Sequence, residues 1–374
     1  MTRPTLANWM APDHAFWSFR HVRELIPTAQ VDPAATPRAL PRDIKSEIGG
    51  LVVDFHEGPQ AVVDFLGSTN TDSFTVVCGE DLVFEWLAPG VVDVEPHLIF
   101  SVTKSVTGML VGALVQEGLI DVEAPVTKYV PEVAGSGFGD ASVRNLLDMA
   151  VSYQFVEDYS PGPDIIAYRH SVGWYPAPLG ALDLHDFIAS REKQGEHGQA
   201  FRYLSPTTDL VGWVIEGASG LPYATALSKY IWSKIGTEAP AHITVDRQGS
   251  PRAAGGLSVI PRDMARFGMM IRDGGMGVID PAFLADVYDN GNRAQWAAGD
   301  FKDLFPKGGY RSFCYKPGED PDVIMGIGIH GQFLYVDRPR GVVVAKQSSW
   351  PMPDDDDMHL DSYRACRGVA RALG

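Results

Sequence analysis

The chain has 374 residues, 45% hydrophobic and 21% charged, a folded-protein composition long enough for two or three units of ~150 residues. Its 31 lysines and arginines against 47 acidic residues give a formal net charge of −16, which disfavours nucleic acid and anionic membrane surfaces as partners. Three scattered cysteines, Cys78, Cys314 and Cys366, exclude a disulfide framework and a thiolate zinc site and fit a reducing compartment. No apolar run approaches the ~20 residues of a membrane span, and the N-terminus lacks a signal-peptide core. The expectation is a cytoplasmic protein.

A first helical patch over Ala15–Ile26 precedes a proline-rich connector, Asp32–Pro41. Two β-type runs follow, Phe74–Val77 and Leu82–Leu87, with Cys78-Gly-Glu-Asp81 as a hairpin turn. The stretch from Phe100 to Gly118 is helical by length, apolar nearly all round, and closed by a glycine suited to the C′ position. It predicts a buried central helix. Helical patterns then run through Val143–Met149, Leu184–Arg191, Thr207–Ala218, Tyr223–Lys234, Pro261–Asp273 and Pro281–Tyr288. Strands return at Val323–Ile329, Gln332–Val336 and Val342–Gln347, and a helix over His359–Leu373 ends the chain. This order predicts an α+β fold: an antiparallel sheet from both chain ends with flanking helices, plus an all-helical lobe. The sheet part comprises residues 1–100 and 240–374, the helical lobe residues 101–239, with the active site between them.

Ser101 and Lys104 form an S-x-x-K pair at the start of the apolar helix, three residues apart and so on one face. Backbone N–H groups at the helix N-terminus stabilise negative charge developing near the serine. A lysine in an apolar helix is costly to bury without a partner. A second match, Ser190–Lys193, sits in a polar stretch and reads as exposed and inert. Tyr203, in Tyr203-Leu-Ser205, is a candidate proton acceptor if its pKa falls by about 3 units, or roughly 4 kcal/mol. An ammonium ~4 Å away at an effective dielectric of ~20 supplies about that much, so Lys104 is the expected source of the shift. The two would titrate as a pair.

Gly326-Ile-Gly-Ile-His-Gly-Gln332 places glycines inside a strand, which permits either a close approach of another group to the backbone or a bend. No G-x-S-x-G elbow is present, and His56-Glu57 lacks the second histidine of a zincin. No metal or cofactor is expected. Asp354–Asp357 reads as a solvated loop capping the last helix, and Asp186, Glu157 and Asp158 as surface or capping acids. His330 is open to a substrate contact or a structural hydrogen bond.

Taken together, Ser101-Val-Thr-Lys-Ser-Val-Thr-Gly108, Pro125-Val-Thr-Lys-Tyr-Val-Pro-Glu132, Glu157-Asp-Tyr159, Gly328-Ile-His-Gly-Gln332 and Ser348-Ser-Trp-Pro351 resemble the serine β-lactamase/penicillin-recognising superfamily on its class C side. The closest likeness is to the 6-aminohexanoate-dimer (nylon oligomer) hydrolases and β-lactamase-fold esterases. The resemblance implies a β-lactamase/DD-peptidase-like fold and an acyl-enzyme mechanism. It makes Ser101 the nucleophile, Lys104 its proton partner and Tyr203 the general base and later acid, with main-chain N–H groups of Ser101 and Ile329 as the oxyanion hole. It also places Tyr159 beside the leaving amine and Trp174 at the mouth of the site. Arg169, His170 and His330 complete the expected substrate-binding set.

Two departures bear on substrate. The late strand carries Gly326-Ile327-Gly328 in place of K-T-G, without the lysine that would bind a β-lactam carboxylate. Where the nylon-dimer enzymes hold an aspartate for the substrate's ammonium, this chain has Arg169 in Tyr168-Arg-His-Ser-Val-Gly-Trp174, and Ala254 fills a second position that is polar in them. The expected activity is serine hydrolysis of small esters and linear amides. Alternatives are a 6-aminohexanoate-dimer hydrolase with altered amine recognition and a non-catalytic binding protein on the same scaffold. The partner is a small molecule, with a homodimer allowed.

Overall fold

A computed structural model describes residues 3–159 and 162–374. Its largest sheet has seven antiparallel strands in the spatial order Asp81–Leu87, Thr71–Cys78, Val342–Ser348, Gln332–Asp337, Val323–Gly328, Cys314–Lys316 and Gly309–Arg311. The central strands are rich in valine and other β-formers and are buried throughout, as expected of a sheet covered on both faces. Facing pairs such as Val77–Val343 and Val76–Val344 fix the register across the two chain ends. Helices Pro261–Arg272 and Asp356–Leu373 pack against this sheet.

Several elements were not legible in the sequence. A second sheet orders Thr28–Val31, Ala241–Thr244, Leu257–Val259 and His97–Leu98. Strands of two to four residues carry too little alternation to be read, and their partners lie far apart in sequence. Helices Val62–Ser68 and Pro163–Ser171 are short and weakly patterned. The first helical patch divides into a helix over Pro12–Ser18 and a 3₁₀ turn at Val22–Glu24. The last helix begins at Asp356, with Asp355 as N-cap accepting the Met358 N–H at 3.0 Å, so half of the acidic run is helix.

The helix Val102–Gln116 is buried over all but its last turns. Each polar residue in its first half has a specific acceptor or donor. Thr107 donates to Ala253 O at 2.8 Å, Ser105 to Phe313 O at 2.8 Å, and Thr103 Oγ1 accepts the Leu257 N–H at 3.2 Å. Those bonds tie the segment 253–257 along the helix. Glycines supply the remaining fit. A Cβ on Gly326 would stand 2.9 Å from Ser105 Oγ, and one on Gly328 2.8 Å from Ile99 O and 3.0 Å from Ser101 N. The glycines are there because the helix start presses onto the strand backbone.

This contact predicts that Gly328→Ala, unlike a substitution at the open Gly309, displaces the backbone around Ser101. Thermal unfolding should show a loss of about 1–3 kcal/mol, the usual cost of overpacking, together with a fall in turnover. Unchanged Tm and activity would refute the close approach.

Candidate active site

At the first turn of the buried helix, Lys104 Nζ lies 2.8 Å from Ser101 Oγ and 2.8 Å from Ala254 O. Ser101 is 9% exposed and Lys104 1%. Among the described residues no carboxylate stands within ion-pair distance of the amine. Desolvation therefore dominates and lowers the Lys104 pKa to about 7, against the weaker pull of Glu157. The amine is a proton acceptor near neutrality that already touches the serine hydroxyl. When protonated it donates to Oγ, and when neutral it accepts from it.

Tyr203 completes the group. Its ring lies under Lys104, with Nζ 4.7 Å from the centroid, and its hydroxyl bonds Ser101 and Tyr315. Burial and the nearby Glu157 push its pKa well up, opposite to the expected depression. The reason is that Lys104 is itself held near neutrality and faces the ring. Tyr203 keeps its proton, and Lys104 is the group that can lose one.

Behind these residues runs a charged network. Arg252 Nη1 donates to Asp209 Oδ2 at 2.7 Å and also bonds the Tyr168 hydroxyl, which donates to the same carboxylate oxygen at 2.5 Å. Asp209 Oδ1 accepts the Ala254 N–H at 2.8 Å. Ala254 is thus held from both sides, its N–H by Asp209 and its carbonyl by Lys104. Glu157 receives both the N–H and the hydroxyl of Ser205, anchoring the start of helix Ser205–Ser219 just past Tyr203.

The backbone next to the reactive groups is strained. Phe100, before Ser101, has φ +41°, and His330, after Ile329, has φ +58°. Non-glycine residues adopt such values at a cost of about 1–3 kcal/mol each. Ring contacts hold them: Phe100 lies 4.8 Å from Phe19, 5.9 Å from Trp174 and 5.2 Å from His330. Trp9, from the N-terminal segment, packs on Phe19 and Trp174 and donates to Trp174 O at 2.9 Å.

Two small pockets meet at this centre. One is lined by Ser101, Glu157, Tyr159, Arg169, Trp174 and Arg252, among others, and the second by Tyr159, Tyr203, Phe301, Tyr315 and Asp354. Each is narrow, with a cavity volume of about 30 Å³. Tyr159 and Ile329 belong to both.

A family model described as Beta-lactamase matches residues 73–367. The chain belongs to the beta-lactamase family. It is 36% identical to a 6-aminohexanoate-dimer hydrolase of Paenarthrobacter ureafaciens, covering 99% of this chain and 94% of that one. A solved structure from Bacillus anthracis assigned as a 6-aminohexanoate-dimer hydrolase superposes with a TM-score of 0.90 at 23% identity, over 100% of this chain and 99% of that one. A family VIII carboxylesterase superposes with a TM-score of 0.58 at 16% identity, over 81% and 95%. The protein is a hydrolase of the β-lactamase fold.

Within this family frame, Ser101, Lys104, Tyr203, Tyr159, Arg169, Trp174 and Ile329 come together as expected. His330 does not line either pocket: it is 3% exposed behind Phe100, its Nδ1 is 2.7 Å from Trp350 O, and burial lowers its pKa to about 4. Its role is to hold the turn. His170 also lies off the lining, with its ring 6.4 Å from Tyr175 and its Nδ1 buried. The second S-x-x-K match is on the surface, where Ser190 donates to Phe187 O at 2.9 Å and Lys193 pairs with Asp140 at 2.5 Å.

Glu157, expected to be an ordinary acid, lines the cleft. Asp209 and Arg252 escaped the sequence reading altogether. Their pairing spans 43 residues, which no local pattern reveals.

The Asp209–Arg252 pair is buried on both sides, so removing one partner leaves an uncompensated charge. Asp209→Asn should cost about 3–5 kcal/mol in denaturant unfolding, and adding Arg252→Gln should recover part of it. Equal stability of wild type and the single variant would show that the pair does not hold the Ala254 segment.

Proposed function

We propose that this protein is a serine hydrolase that forms and then hydrolyses an acyl-enzyme on small carboxylic esters and linear amides. The observation that carries the reading is the 2.8 Å contact between Ser101 Oγ and a buried lysine amine that has no carboxylate in ion-pair range among the described residues, at the wall of a cleft. Neutral Lys104 accepts the hydroxyl proton as Ser101 Oγ bonds to the substrate carbonyl carbon. Main-chain N–H groups of Ser101 and Ile329 face the resulting oxyanion. Tyr203, kept protonated by burial, passes its proton to the leaving oxygen or nitrogen as that bond breaks, and regains one from Lys104. Water then attacks the acyl-enzyme, its proton goes to the same pair, and Ser101 is restored. Tyr203 lines one of the two pockets and Arg169 and Trp174 the other; our reading puts the leaving group in the first and the acyl arm in the second.

Identity to the Paenarthrobacter enzyme favours a second reading, hydrolysis of the 6-aminohexanoate dimer. Arg169 and Arg252 on the acyl side oppose it, because an ammonium placed there meets like charge. A cytoplasmic site of action is part of our reading and rests on the three unpaired cysteines.

Three measurements test the proposal together. Ser101→Ala should abolish both p-nitrophenyl ester turnover and fluorophosphonate labelling while leaving the circular dichroism spectrum intact. Retained turnover in a folded variant would reject the assignment. Tyr203→Phe should lower kcat by about 10²–10⁴-fold, and an effect confined to KM would reduce Tyr203 to a pocket wall.

The pH dependence follows from Lys104. Below its pKa of about 7 the amine is protonated and cannot accept the serine proton, so kcat/KM should rise with pH through about 7 and level above it. A flat profile between pH 5 and 8 would exclude Lys104 as the acceptor.

A further inference from the structure

The pocket lined by Ser101 and Arg169 is also lined by a residue with a buried donor that has no acceptor among the described residues. Arg252 is 8% exposed, sandwiched between the rings of Tyr168 and Trp174 with Cζ 4.6 and 5.1 Å from their centroids. Its Nη1 is committed to Asp209 and Tyr168, but its Nε is buried without any acceptor among the described residues. A guanidinium is planar and rigid, so a group that meets Nε approaches along a fixed direction. Leaving such a donor dry is unfavourable unless something else supplies the acceptor.

Its surroundings point to the acyl arm. Arg252 lines the pocket that also holds Ser101. A Cβ placed on Gly255 would stand 3.9 Å from Arg252 Cζ and 3.8 Å from the Phe100 carbonyl carbon, so one glycine separates the guanidinium from the nucleophile's own backbone. Arg169 enters the same pocket from another element and is steadied by the Tyr175 hydroxyl at 3.1 Å. The carboxylate that shares this lining, Glu157, is already bonded by the N–H and hydroxyl of Ser205. Asp209 is not among the lining residues and satisfies Arg252 through Nη1 alone. Two guanidinium groups thus line one small pocket beside Ser101, and the unpartnered Nε of Arg252 is enclosed in its wall.

We propose that the acyl arm of the substrate is short and ends in an anionic group, a carboxylate being the simplest, which Arg252 receives at Nε with Arg169 beside it. The substrate class is then the half-ester or half-amide of a short dicarboxylic acid. This inference rests on the serine-hydrolase reading and adds the charge and length of the acyl group to it. Arg252 is a specificity residue here, distinct from the groups that move protons.

The test uses wild-type protein and three ethyl esters of similar length: monoethyl succinate, ethyl levulinate and β-alanine ethyl ester, which end in an anion, a neutral ketone and a cation. The expected order of kcat/KM is succinate, then levulinate, then β-alanine ester, with at least a ~10-fold advantage of the anion over the neutral ester. Raising the salt concentration should leave most of that advantage, since the pair is enclosed. Arg252→Lys keeps a positive charge opposite Asp209 but has no Nε, and should bring the succinate-to-levulinate ratio toward one. If levulinate or the β-alanine ester is turned over as well as succinate by the wild type, the inference fails and the hydrolase reading stands. If none of the three is hydrolysed and fluorophosphonate does not label Ser101, both fail. Because the ester series needs no variant, a misfolded Arg252→Lys does not weaken it.

Discussion

A lysine amine taken out of water with no carboxylate against it is the constraint on which the rest of this structure depends. Lowering its pKa from 10.5 to about 7 corresponds to something on the order of 5 kcal/mol of lost preference for the charged form. The fold sustains that by locking the amine between the Ser101 hydroxyl and the Ala254 carbonyl. The Ala254 carbonyl is fixed in turn because Asp209 holds the N–H of the same residue and Arg252 holds Asp209. Thr103 and Thr107 fasten the flanking residues Leu257 and Ala253 to the same helix. The buried charge network is therefore the support of a neutral amine, set one layer behind it.

A perturbed lysine alone would not identify the site. Lys346 is just as buried, and its pKa is also lowered to about 7 by desolvation. It even touches a serine, with Nζ 2.6 Å from Ser348 Oγ. Yet both residues are fully enclosed in the sheet, and the remaining acceptor is Gly331 O at 3.1 Å. Lys346 ties the strand to the turn that carries His330. The same pair of residue types is structural in one place and, in the function we propose, reactive in the other. The difference is that Ser101 opens onto a cleft and stands at a helix N-terminus, where charge developing on a substrate has N–H groups to meet it.

What was legible in the sequence follows from how far apart the cooperating residues are. Ser101 and Lys104 are one helical turn apart, so spacing alone puts them on one face, and the apolar run around them announces burial. Gly326 and Gly328 were readable as points of close approach, and the intruding group is the helix start itself. Tyr203 is a candidate from its place just ahead of the helix Thr207–Ala218, and the family likeness adds the general-base role. The electrostatics differ from the sequence expectation because the sequence hides which way the lysine points: it lies over the tyrosine ring, and desolvation governs both groups. Arg252 and Asp209 were invisible because an ion pair formed between a helix and a distant loop leaves no local signature. His330 was misplaced for a related reason. It neighbours the Ile329 amide along the chain, but its positive φ turns the side chain away into the aromatic cluster.

The same division lets a chain share 36% of its residues with a 6-aminohexanoate-dimer hydrolase while the charges lining its pocket vary separately from the core. The reacting atoms are positioned by regular structure: the first turn of one helix, the residues before another, and the end of a strand whose glycines admit no side chain. Change at those positions disturbs packing as well as chemistry, so few alternatives are compatible with folding. The acyl pocket is built differently. Arg169 projects from the short helix Pro163–Ser171, and Arg252 from the connection between two short strands. Their side chains reach the pocket without belonging to the packed centre of the sheet. A substitution at Arg169 alters the charge lining the pocket while leaving Ser101, Lys104 and Tyr203 where they are. Once Arg252 occupies such a position, however, its own burial requires Asp209, and Asp209 also orients Ala254 beneath Lys104. In the reading proposed above, that carboxylate joins the charge that meets the substrate to the carbonyl that holds Lys104, so a change of pocket charge at Arg252 reaches the amine beside the serine.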